Sequence, residues 1–272
     1  MLELTELLAR HRDDVPLDLA ALQLASIEFP DLEPEQFLAL LDSHAAELGG
    51  RVNRSAAGPE FIRQANQYLF DELGFRGNED DYYHPRNSCL NEVLTSRTGL
   101  PITLSVVYME IARRLGRPVV GIGLPGHFLV QYNDGLCEMY IDPFHRGQLL
   151  EASECHQLAK SMAGVDTGGD PKALAPAGNW QILVRMLGNL RSAYLRAREY
   201  AKTVEVLNLL LVAAPNAAEE HRQRGVCHVQ LDRHGAAIRD LERYLELAPE
   251  AEDRVEVERQ IVALRHWQAA RN

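Results

Sequence analysis

The chain has 272 residues, with 28 Lys and Arg against 39 Asp and Glu, a formal net charge of −11. That length suits two modest domains. At 46% hydrophobic and 25% charged, the composition is that of a folded chain and excludes wholesale disorder. The acidic balance argues against a general nucleic-acid or anionic-membrane binder, leaving room only for a local basic face. No apolar run reaches the roughly 18 residues of a membrane span, and the stretch 209–214 is short and ends at Pro215. The N-terminus lacks the basic start and apolar run of a secretory signal. Cys89, Cys137, Cys155 and Cys227 are widely scattered with no CxxC pair, so neither a disulfide framework nor a zinc ribbon is expected. A reducing cytoplasm is the expected setting, and the sequence calls for no metal and no cofactor.

Residues 1 to about 75 read as helices. Leu17 to Ile27 is apolar at helical spacing, and Pro34 to Leu48 aligns Leu38, Leu41 and Leu48 in one stripe. Pro59 to Leu73 puts Phe61, Ile62, Ala65, Tyr68, Leu69 and Leu73 on one face. A long polar and aromatic loop follows, from Phe75 to Ser88. A helix is predicted from Pro101 to Leu115, stopped by Gly116 with Pro118 just beyond. Val119 to Gly123, Gly126 to Tyr132 and Glu138 to Ile141 read as strands, the last two joined by the turn signal Asn133-Asp-Gly-Leu136. Gly164 to Gly178 lacks periodicity and reads as a linker. The domains expected are 1–165, a linker at 166–178, and a helical domain at 179–272.

The helical domain repeats. Pro215 and Pro249 lie 34 residues apart, the period of tetratricopeptide repeats. The second copy carries Gly225, Ala237, Leu241 and Tyr244; the first carries Leu187, Leu190, Tyr194, Leu207 and Leu210. Arg191 and Thr203 depart from the pattern, occupying positions where a small residue is usual. Two repeats and a final helix from Glu252 to Gln268 make a short solenoid with a cap. A plain helical bundle has no reason to keep the 34-residue register.

Gly121-Ile-Gly123-Leu-Pro-Gly126 satisfies G-x-G-x-x-G, but the fingerprint needs a helix opened by its glycines. Here Pro125 and the alternating run from His127 to Tyr132 follow, so nucleotide binding is rejected. The hairpin is more informative. If Tyr132 pairs with Cys137, His127 sits directly opposite Asp142, with Cβ atoms roughly 5 Å apart. A carboxylate so placed fixes an imidazole's tautomer, the arrangement of a catalytic base. From spacing alone, a buried polar pair that pins the hairpin is the favoured reading.

Gly99 to Gly116, Gly126-His127 and Ile141-Asp142-Pro143 resemble the transglutaminase-like superfamily core: a helix opened by a nucleophilic cysteine, then strands bearing histidine and aspartate. Phe75-Arg-Gly-Asn78, Tyr83, Pro85-Arg-Asn-Ser88, Gly99 to Tyr108, Leu124 to Phe128 and Ile182 to Leu187 are similar to the bacterial SirB-type family. Its members join that core to C-terminal tetratricopeptide repeats. The resemblance covers roughly residues 15 to 260 and implies an α+β fold. N-terminal helices would accompany a papain-like helix-and-antiparallel-sheet core, with an all-α repeat domain after it. In the superfamily pattern a glycine lies two residues before the cysteine and another fifteen after it. Gly99 and Gly116 fit those marks, and the residue between them is Pro101.

Proline has no nucleophile and no N–H, but suits the first turn of a helix. Thr103 and Ser105 leave the helix elsewhere; Ser105 shares Pro101's face about 6 Å along the axis, at a position that takes a small residue for packing. Cys89 is upstream, Cys137 is near the hairpin turn, and Cys155-His156 are helical neighbours that diverge. Arg86, Asn87, Ser88 and Asn91 either donate into the groove beside His127 or satisfy the loop backbone. His145-Arg146-Gly147 belongs to the same mouth. Asn78-Glu-Asp-Asp81 lacks calcium-loop spacing. Arg191, Arg196, Arg198 and Lys202 form a basic cluster in the repeats, and Tyr194 and Arg198 are candidate partner-contact residues. The expectation is a non-enzymatic scaffold or regulator that binds a protein or peptide through its repeats. Two alternatives are a hydrolase or acyl-transfer enzyme using His127 and Asp142 with water or an unconventional nucleophile, and a peptide or small-ligand binder in a vestigial cleft.

Overall fold

The computed structural model describes residues 4–9, 15–53, 55–168 and 170–270. The chain divides into two compact units. One is Arg12–Met186; the other is Leu187–Asn272 together with Met1–His11. The N-terminal helix α1 (Leu4–Ala9) therefore groups with the repeats and packs on one of their helices. It was expected with the first domain.

The larger unit begins with α2 (Leu17–Ala25), α3 (Pro34–Arg51) and α4 (Gly58–Asn66). Helix α4 continues into a π-helical turn, Gln67–Glu72, closed where Leu73 N–H donates to Tyr68 O. After β1 (Arg76–Gly77) come a 3-10 turn (Pro85–Ser88), α5 (Leu90–Ser96), β2 (Thr98–Gly99) and α6 (Pro101–Arg114). Helix α6 is the centre of the unit: every residue from Pro101 to Ala112 is buried. Its sequence is apolar on all sides, as a helix enclosed by others requires, and α2, α3, α5 and the sheet pack on it. The alanines of α2 (Ala20, Ala21, Ala25) are fully buried and let it lie close. At the far end of α6, Arg114 bridges three carboxylates, reaching Asp18 at 2.7 Å, Glu110 at 2.8 Å and Asp42 at 2.6 Å. Burial pushes the Glu110 carboxyl above its ordinary value, against the pull of Arg113.

The sheet runs in the order β6-β5-β4-β3-β7, antiparallel throughout, with β3 (Val119–Leu124), β4 (His127–Asn133), β5 (Glu138–Asp142), β6 (Gln148–Leu150) and β7 (Pro176–Ala177). Helix α7 (Ala152–Ala163), opened by a Glu151/Glu154 capping box, adds Cys155 and Ala159 to a core with Ile122, Leu124, Leu129, Tyr140 and Leu150. The stretch expected as a linker contributes β7 and a 3-10 turn, Pro171–Leu174, whose Leu174 joins that core. Pairing with β3 gives Ala177 a ladder partner in Gly121.

The hairpin register differs from the expected one. Tyr132 pairs with Met139 and Asn133 with Glu138. Cys137 is drawn out of the ladder into the turn, because the Asp134 carboxylate accepts the N–H groups of Leu136 at 3.0 Å and Cys137 at 2.8 Å. The slip is two residues, so every side chain keeps its face.

Helix α8 (Asn179–Ala197) starts in the larger unit and ends in the smaller. The repeats continue with α9 (Tyr200–Ala213), α10 (Ala218–Gln230), α11 (His234–Leu247) and α12 (Arg254–Ala269), each packed on the next. The 34-residue register has a steric basis: a Cβ on Gly225 would meet Leu241 at 3.0 Å, and Ala237 is fully buried. In the first copy Arg191 replaces the small residue and pairs with Glu220 at 3.1 Å, while Thr203 donates to Glu199 O at 3.0 Å within its own helix. No helix among the described residues is long and apolar enough to cross a membrane.

Candidate functional site

Strand β4 opens with His127, and β5 closes with Asp142. His127 Nε2 and Asp142 Oδ2 are 2.8 Å apart, with side chains 1% and 2% exposed. The same carboxylate oxygen lies 2.8 Å from Nδ1 of His145, which is 41% exposed. The other oxygen, Oδ1, accepts the N–H groups of Phe144 at 3.0 Å and His145 at 3.3 Å. All of Asp142's acceptor capacity is thus used, and the turn that follows β5 is wound around its side chain. Burial raises the Asp142 pKa, but the hydrogen bonds from His127 and His145 outweigh it and hold the carboxyl below its ordinary value. Nδ1 of His127 is buried and has no hydrogen-bond partner among the described residues.

Neighbouring elements fix this turn. Gly77 N–H donates to Phe144 O at 3.0 Å, and a Cβ on Gly77 would lie 2.5 Å from the Phe144 ring. The Phe144 ring stands edge-on to His127, with centroids 6.0 Å apart, and to Tyr82 at 5.9 Å. Arg185 on α8 donates from Nη2 to Leu124 O at 2.7 Å and His127 O at 2.6 Å, tying the backbone at the start of β4. Its guanidinium lies over Phe128 at 5.3 Å, and burial lowers its pKa. Arg185 lies within Ile182 to Leu187, and a cation in that apolar helix stretch is the sequence signal for such a role.

The other expected site residues are placed as follows. Pro101 is buried at the first position of α6. Asn87 organises the loop: its Nδ2 donates to Asp81 O at 2.7 Å and Tyr82 O at 3.0 Å, and its Oδ1 accepts from Asn78 at 2.9 Å. Arg86 points to Glu28 at 3.7 Å and over the Phe29 ring at 5.3 Å. Asn91 and Ser105 are buried, and Asn91 Oδ1 and Ser105 Oγ lack hydrogen-bond partners among the described residues. In the repeats Tyr194 is fully buried, a core residue and not a contact surface, as its place in the apolar stripe requires. Arg198 is exposed at the α8–α9 turn with φ of 58°.

Two of the thiols sit in environments that keep them protonated. Burial, reinforced by Glu154 and Asp142, pushes Cys155 up to about 12; burial pushes Cys227 up to about 11. Cys89 is buried with Pro85 O at 3.7 Å from its sulfur. Cys137 lines a largely apolar groove of about 550 Å³ with Pro59, Ile62, Met139 and Leu149; neither His127 nor Asp142 lines it. A second cavity, of about 430 Å³, is lined by Phe144 and His145 and by the loop Asn78-Glu79-Asp80.

A buried helix packed between other helices and a sheet, a His–Asp pair at adjoining strand ends, and helical hairpins after it define a transglutaminase-like core followed by tetratricopeptide repeats. Residues 35–188 match the transglutaminase-like superfamily, and 190–262 match the tetratricopeptide repeat. A UPF0162 protein of Xylella fastidiosa (strain Temecula1) is 40% identical over 243 residues, 87% of this chain and 85% of the relative. A UPF0162 protein of Vibrio cholerae is 29% identical over 246 residues, 90% of this chain and 86% of the relative. F-box only protein 21 of Mus musculus is 33% identical over 165 residues, 57% of this chain and 25% of that protein. The chain belongs to the transglutaminase-like superfamily and, within it, to the bacterial UPF0162 proteins of SirB-like layout.

Proposed function

We propose that this chain is a non-enzymatic scaffold or regulatory protein. Its core is a transglutaminase-like frame without a nucleophile, and its repeats capture a protein partner. The observation that carries the reading is Pro101 at the first position of α6, where the superfamily pattern puts cysteine. A proline there starts the helix well and offers no group to an acyl donor. The chemistry of Cys155 and Cys227 supports the same reading, since a buried thiol held near 11 or 12 is no nucleophile at neutral pH. What remains at the site serves the fold: Asp142 accepts four hydrogen bonds and closes the turn beside β1. Tetratricopeptide repeats generally bind proteins, and α10 leaves Val226 exposed among polar neighbours.

The test uses the full-length chain as bait in a native lysate, beside Val226→Glu. Truncation before α8 is the poorer comparison, because it removes Arg185 from the core. Wild type is expected to retain a stoichiometric protein that Val226→Glu loses. Equal retention by both would overturn the repeat reading. A second reading, amide hydrolysis by His127 with water, draws on the unpartnered Nδ1. It requires an activity on broad amide substrates that vanishes in folded His127→Ala, and such an activity would end the non-enzymatic reading.

A further inference from the structure

We propose that His127, Asp142 and His145 form a binding site for a divalent transition-metal ion. The inference does not depend on what replaced the nucleophile, nor on the repeats. Three donor atoms from two strand ends and one turn converge: Nε2 of His127, Oδ2 of Asp142 and Nδ1 of His145 all lie within 4.8 Å of one another. Each imidazole nitrogen is 2.8 Å from the shared oxygen. An ion about 2.1 Å from each donor keeps donors at right angles about 3 Å apart. Each nitrogen–oxygen spacing therefore needs to open by only tenths of an ångström, and the two imidazole nitrogens lie within 4.8 Å of each other.

The donor chemistry and its surroundings agree with this. Two neutral imidazoles and one carboxylate suit zinc, iron, nickel or copper better than magnesium or calcium, which prefer all-oxygen sets. The carboxylate is already oriented from behind, because Oδ1 accepts two backbone N–H groups and leaves Oδ2 to face the imidazoles. Binding at Nε2 moves the His127 proton to Nδ1 and replaces the bond to Asp142. His145 is partly exposed, so the ring nitrogen it keeps protonated can reach water.

One of the three ligands lines a cavity. The cavity of about 430 Å³ reaches His145 and Phe144 and is walled by Glu79 and Asp80, with Arg76 and Arg146 also on its lining. Two acids and two arginines leave its wall without net charge against a cation. Coordination positions not filled by the chain would open toward this cavity and hold water.

The test titrates Zn2+ into chelator-stripped full-length protein by calorimetry, beside His145→Ala and the control His156→Ala. His156 bonds to Thr167 and lies outside the cluster. One ion per chain is expected, with affinity falling at least about 10-fold in His145→Ala and unchanged in His156→Ala. Absence of stoichiometric binding, or equal affinity in wild type and His145→Ala, overturns the proposal. Should His145→Ala fail to fold, wild type decides: Co2+ must broaden the imidazole NMR signals of His127 and His145 before those of the chain's other histidines. Broadening that begins at other histidines overturns it equally.

Discussion

Asp142 Oδ2 stands 2.8 Å from Nε2 of His127, although the two residues do not face each other across the β4–β5 ladder. Val130 pairs with Ile141, so one further step sets Asp142 level with Leu129 and leaves His127 two residues beyond. The contact is diagonal, made by side chains of the same face, and the His145 ring shares its carboxylate oxygen. Asp142 thus carries the end of the sheet, the following turn and two imidazoles.

Asp142→Asn should cost about 3 kcal/mol in urea unfolding at neutral pH, the range for breaking a buried charged pair. The sign with pH follows from the lowered carboxyl pKa of the folded state. Its contribution is present above the ordinary value of 3.8 and is lost as pH falls through the folded value. The gap between wild type and Asp142→Asn should therefore narrow on acidification below about pH 4. A gap that widens there contradicts the assignment.

Gly77→Ala should destabilise by about 2 kcal/mol, since its Cβ would sit 2.5 Å from the Phe144 ring. Phe144→Leu in the same chain should recover part of that loss, which a double-mutant cycle in thermal unfolding measures. Simple additivity of the two losses would show that the ring is not the obstacle.

Arg185→Ala removes the side-chain donor from the carbonyls of Leu124 and His127 and should cost about 2 kcal/mol. Amide hydrogen exchange should quicken first at the β3–β4 turn. Exchange unchanged at that turn would mean that water replaces the guanidinium at no cost.

Asp134→Ala removes the acceptor that pulls Cys137 out of the ladder. A loss of about 1 kcal/mol is expected, with faster exchange at the Leu136 and Cys137 amides. Protection that stays the same at both would contradict this account of the register.

The helices were legible because their signals are local. Pro101 and Gly116 bracket α6, and the 34-residue spacing of Pro215 and Pro249 survives as Gly225 against Leu241. The His127–Asp142 partnership was legible too, because a two-residue slip conserves faces. The register itself was not, since it turns on which N–H groups the Asp134 side chain takes. His145 was placed at the mouth from sequence, but its share of Asp142 depends on the turn that Asp142 winds around itself. Asn87 had two readings of equal standing, and only the loop's three-dimensional path gives its amide to the Asp81 and Tyr82 carbonyls. The 166–178 stretch looked like a linker because a two-residue edge strand has too few positions to show alternation.

The claim that this core is an acyl-transfer frame lacking only its nucleophile is tested most directly by Pro101→Cys. The thiolate of the full-length variant is followed by its ultraviolet absorbance against pH, with wild type subtracted and folding checked by circular dichroism. If Pro101 occupies the nucleophile's place beside the imidazole of His127, the new thiol ionises well below the ordinary value of about 8.5, and adding His127→Ala abolishes the shift. Ionisation at or above that value, or a shift indifferent to His127, would contradict the account.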